Sequence, residues 1–138
     1  MVSLECTENQ LGIIMAALED YFRLRMGQTY IGLLDDLAFQ NIQVRKDGKI
    51  DDDVFNECIW RRDDAREKLS EMFDILFNRD LSRMKQTEEV KTAVDIWHVI
   101  RHWFWKQRPP ESRGIGTDSY DVMQIGKEPL PEIWSLES

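Results

Sequence analysis

The stretch D-I-W-H-V-I-R-H-W-F-W-K-Q-R-P-P, residues 95–110, decides the fold. Followed back a little way, Val90, Ala93, Val94, Trp97, Ile100, Arg101 and Phe104 fall on one face by steps of three and four, and Ile96 and Trp103 widen it. That period is helical. Thr87 followed by Glu88 and Glu89 supplies an N-cap with acidic residues in the first turn, and the double proline at 109–110 stops the run, so the spacing predicts a helix over 88–107.

The same period recurs upstream. Thr7-Glu8-Asn9-Gln10 has the form of a capping box, and Leu11, Ile14, Met15, Leu18 and Phe22 follow at helical spacing. Gly27 interrupts the pattern and Tyr30, Leu33, Leu34 and Leu37 resume it. Residues 7–39 are therefore expected as one kinked helix or a pair. Another helix is expected over 52–77, with Phe55, Cys58, Ile59, Ala65, Leu69, Met72, Phe73 and Leu76 inward and charge on the other faces, and a connector over 78–86.

Between 40 and 50 the period vanishes, and Asp47-Gly48 marks a loop or short hairpin. Aligned on a calcium loop, that dipeptide would put Gln43, Arg45 and Val54 where carboxylates belong, which argues against calcium. Three glycines and two prolines break residues 111–138 into an extended arm. The arm is too apolar for a disordered tail and is expected to pack on the helices or on another copy.

The fold class is thus all-α: a three- or four-helix antiparallel bundle in one domain, 1–138, wrapped by a C-terminal arm and oligomeric. Cys6 and Cys58 stand apart, no signal peptide is evident, and the longest apolar runs are far below the roughly 20 residues of a membrane span. These features predict a cytoplasmic protein, in the host cell on the reading below, with no membrane partner. A net charge of −8 opposes direct nucleic-acid binding, which draws on cationic side chains releasing counterions.

Candidate chemistry concentrates in the opening stretch. Arg101 lies on an apolar stripe and needs either an internal carboxylate or an anionic ligand, because an unpaired buried charge costs several kcal/mol. Asp95, His98 and His102 share a side of the helix, but three ligands from adjacent turns of one helix rarely converge on an ion, so neither metal nor cofactor is expected. No nucleophile–base motif or phosphate loop occurs, and the expectation is a protein without catalytic activity.

Three segments, Y-F-R-L-R-M-G-Q at 21–28, D-I-W-H-V-I-R-H at 95–102 and K-E-P-L-P-E-I at 127–133, resemble a family of small bacteriophage and prophage accessory proteins. The likeness leaves 40–86 unmatched. It implies a phage protein that antagonises host antiviral defence by binding, most specifically by sequestering a small phosphorylated, nucleotide-like ligand. The matching polar residues Arg25, Gln28, Arg101 and His102 suit an anion, and Tyr21 and Trp105 lie one turn away as flat faces for a base. The alternatives are an acidic inhibitor of a host defence protein that imitates nucleic acid through Asp35, Asp36 and Asp51 to Asp53, or a structural protein of the virion.

Overall fold

A computed structural model describes residues 1–77 and 86–136. The chain is all-α, with helices α1 (Glu8–Arg25), α2 (Gly32–Phe39), α3 (Asp52–Leu76) and α4 (Glu88–Gln107), and no strand occurs among the described residues. Two short 3₁₀ turns, Pro110–Ser112 and Thr117–Ser119, punctuate an otherwise extended arm. Most of the connector expected at 78–86 lies outside the described residues. The described helices group into two compact units: residues 1–22 with the chain from Gln86 onward, and the described part of Arg23–Lys85.

The first unit holds most of α1, all of α4 and the arm. α1 starts at the expected capping box, with the Thr7 N–H donated to Gln10 Oε1 at 2.9 Å and the Gln10 N–H to Thr7 Oγ1 at 3.2 Å. α4 starts where the Thr87 hydroxyl accepts from the Val90 N–H at 3.2 Å. Its buried apolar residues Val90, Ala93, Trp97 and Ile100 lie on the stripe that the period marks. Phe22 of α1 meets Trp97 edge-on, with ring centroids 5.2 Å apart at 72°, an arrangement that matches the quadrupoles of the two rings.

The second unit contains the break between α1 and α2. Gly27 has φ +70°, the Gln28 N–H is donated to the Arg23 carbonyl at 2.8 Å and the Gly27 N–H to the Leu24 carbonyl at 3.0 Å. This is a Schellman ending, so residues 7–39 form a helix pair rather than one kinked helix. α2 packs on α3, with Phe39 and Phe55 rings 5.4 Å apart and the Arg66 guanidinium 4.3 Å above the Tyr30 ring. Asp35 accepts from Arg62 at 3.0 Å and from Arg66 at 3.5 Å. The 40–50 segment is a loop in which the Arg45 N–H is donated to the Lys49 carbonyl at 2.7 Å and Gly48 turns the chain at φ +79°.

Candidate functional site

Two surfaces hold the polar chemistry of the described residues, one in each unit. On α4 the polar side chains turn to the arm. Asp95 is 2% exposed, and its two carboxylate oxygens accept from the Ile125 N–H at 3.0 Å and the Gly126 N–H at 2.8 Å. The next amide, Lys127 N–H, is donated to Glu88 Oε2 at 3.2 Å. Three consecutive backbone donors are thus satisfied by α4 carboxylates, which is how an extended segment without strand partners meets its hydrogen-bonding demand. Gly126 suits this close approach: a Cβ there would lie 3.0 Å from Asp95 Oδ2 and 3.2 Å from the Thr92 nitrogen, closer than a methyl ordinarily sits.

Further along α4, Arg101 Nη2 donates to Asp118 Oδ2 of the arm at 2.9 Å, and its Nε lies 2.9 Å from Oδ1 as an ion-pair contact. Its guanidinium also lies 4.4 Å from the Trp97 ring centre. His102 Nδ1 is 2.7 Å from the Asp118 carbonyl oxygen, which fixes the proton on Nδ1, and Nε2 is 3.6 Å from the Asp121 carboxylate. Trp105 donates its indole N–H to the Gly114 carbonyl at 2.9 Å, stacks on His102 at 10° and carries the Arg113 guanidinium 5.3 Å from its ring centre.

Of the two open readings for Arg101, the internal carboxylate is therefore the one in place. Asp95 turns to the arm backbone, so it does not close a site with His98 and His102, and no group of three or more metal-ligating side chains occurs among the described residues. His98 sits against the Trp97 ring, centroids 4.8 Å apart. Burial lowers the His98 imidazole below its ordinary value of 6.5, the Arg101 cation lowers it further, and Asp95 and Asp118 oppose both.

The structure brings Arg101, His102 and Trp105 together around the arm. Tyr21 lies in the same unit but elsewhere, lining an open groove of about 540 Å³ with Leu18, Thr92, Ala93 and Ile96. Arg25 and Gln28 belong to the second unit, where Gln28 Oε1 accepts from Arg23 Nη1 at 2.8 Å.

The other surface is on α3. Asp53, Glu57, Trp60, Asp64, Glu67, Glu71 and Asp74 are all exposed and follow one another by steps of four, three, four, three, four and three. That alternation keeps them on one face over roughly 31 Å at 1.5 Å per residue. Six carboxylates and an indole that is 77% exposed therefore form a single stripe. Glu57 pairs with Arg61 at 2.7 Å and Glu71 with Lys68 at 3.6 Å, exposed contacts of the kind that contribute little to stability. Of the acids first expected to face a partner, Asp35 is committed to Arg62 and Arg66, and Asp51 caps α3 by accepting from the Asp53 N–H at 2.9 Å.

No protein-family model matches the chain, nor does any curated protein or solved structure. Among the described residues, no helix is long and apolar enough to cross a membrane.

Proposed function

We propose that this chain is a non-catalytic binding protein that presents the outer face of α3 to a basic protein surface, in the setting its family resemblance implies, a phage accessory protein acting against host defence. The stripe of six carboxylates around an exposed Trp60 carries this reading. A straight row of negative charge raises the on-rate for a basic groove, and a tryptophan in its midst offers the large, rigid contact area typical of interface hot spots. A groove built for a nucleic-acid backbone has the complementary properties, cationic walls and aromatic platforms.

The test is a photo-crosslinking residue at Glu67, introduced in cells challenged with phage, followed by titration of the purified partner at low and high salt. The expected partner has a basic surface, and its affinity falls steeply with salt and is lost in Trp60→Ala/Glu67→Lys. Affinity indifferent to both salt and these substitutions overturns the reading.

Sequestration of a small phosphorylated ligand is the second reading, supported by one observation: the Asp118 carboxylate occupies the Arg101 guanidinium, the cation that an anion would take. Native mass spectrometry of the protein from the same cells addresses it. A retained mass that disappears in Arg101→Glu favours the ligand over the partner.

A further inference from the structure

Beside the arm clasp, the first unit exposes two apolar features that do not meet. One is an open groove of about 670 Å³ between the start of α1 and the end of α4, lined by Gly12, Ile13, Ala16, Phe104 and Arg108 among others. Ile13 is 70% exposed there, and a Cβ on Gly12 would touch nothing within 4 Å. The other is the end of the arm, P-L-P-E-I-W-S-L at 129–136, with Trp134 77% and Leu136 75% exposed.

The course of the arm separates them. Gly114 is held at Trp105, Asp118 at Arg101, Ile125 and Gly126 at Asp95, and Lys127 at Glu88, so the arm runs steadily toward the start of α4. The groove lies at the opposite end, roughly 24 Å back along the helix from Glu88 to Phe104. The seven residues from Lys127 to Trp134 span about 22 Å in the polyproline-like conformation that Pro129 and Pro131 favour, and they would have to reverse direction. The tail of one copy is thus poorly placed to fill its own groove.

Charge favours this occupant. The sequence after Lys127 carries Glu128, Glu132 and Glu137 and no cation, whereas Arg108 lines the groove together with Glu8, and exposed Lys106 lies two residues before it. We propose that the apolar tail of one copy seats in the α1–α4 groove of a second copy, with Glu132 toward Arg108, and that the exchange is reciprocal and closes a two-fold dimer. Such a contact satisfies both exposed features with a single self-complementary interface.

The experiment is native mass spectrometry of the full chain over a dilution series, with circular dichroism as the check on folding. Wild type is expected as a dimer, and Trp134→Ala and Ile13→Glu each as folded monomers. Mixing the two variants restores a heterodimer, because one intact tail then meets one intact groove. Arg108→Glu and Glu132→Arg each weaken the dimer, and the double reversal recovers it. A wild-type monomer at every concentration overturns the proposal. So does a dimer that survives both apolar substitutions, or one whose charge reversals add rather than compensate; if the apolar variants lose their helical signal, the charge pair decides alone.

Discussion

α3 and α4 are the two longest helices among the described residues, both carrying acids and tryptophan, yet they use these residues in opposite ways. α4 turns Asp95 and Arg101 to its own chain: Asp95 is buried against the Ile125 and Gly126 amides, and Arg101 is hydrogen-bonded and ion-paired to Asp118. α3 turns six of its acids to one exposed face around Trp60, two of them in exposed pairs with Arg61 and Lys68. The difference teaches how to tell architecture from surface. A charge that satisfies buried backbone donors cannot be removed without unfolding something, whereas a charge in water can be reversed at almost no cost to the fold.

Stability measurements separate the two helices. The largest loss is expected for Asp95→Ala, which strands two backbone N–H groups and costs about 3 kcal/mol in chemical denaturation, accompanied by faster proteolysis within the arm. An unchanged arm in that variant would break the comparison. Gly126→Ala drives a methyl to 3.0 Å from Asp95 Oδ2, and the same assay is expected to read about 1–2 kcal/mol.

A double-mutant cycle on Arg101 and Asp118 follows. Their side chains are 36% and 22% exposed, and the expected coupling is about 1 kcal/mol, weaker in high salt. Smaller still is a pH effect at His98. Its folded pKa is lowered, so its neutral form stabilises the protein fully above 6.5, and that contribution is lost as pH falls through the folded value. Unfolding midpoints in mildly acidic buffer are expected to drop in wild type and to drop less in His98→Gln. The smallest change in stability, under about 0.5 kcal/mol, is predicted for Trp60→Ala and Glu67→Lys on the exposed face of α3.

Much of this comparison is legible in the sequence, and the reasons for the rest are physical. Local signals are read correctly: the Thr7 capping box, the Thr87 cap and the Val90, Ala93, Trp97, Ile100 stripe depend on residues within a turn or two. The need of Arg101 for a partner is also legible, but Asp118 lies in a segment without periodicity, and no local rule pairs them. Asp95 on the side of His98 and His102 suggests a ligand set; only the path of the arm reveals that it accepts from backbone amides. The α3 stripe was available in the spacing 53, 57, 60, 64, 67, 71, 74. A search for runs of adjacent acids misses it, because a helix brings together residues that the sequence keeps three and four apart.

One variant measured in two ways tests the central claim most directly. Asp64→Lys/Glu67→Lys/Glu71→Lys reverses the middle of the α3 stripe and leaves α4 and its arm untouched. Its unfolding midpoint is expected close to wild type, together with loss of the proposed salt-sensitive complex with the crosslinked partner. A variant that unfolds, or one that keeps the partner at wild-type affinity, would contradict the proposal that α3 is the binding surface.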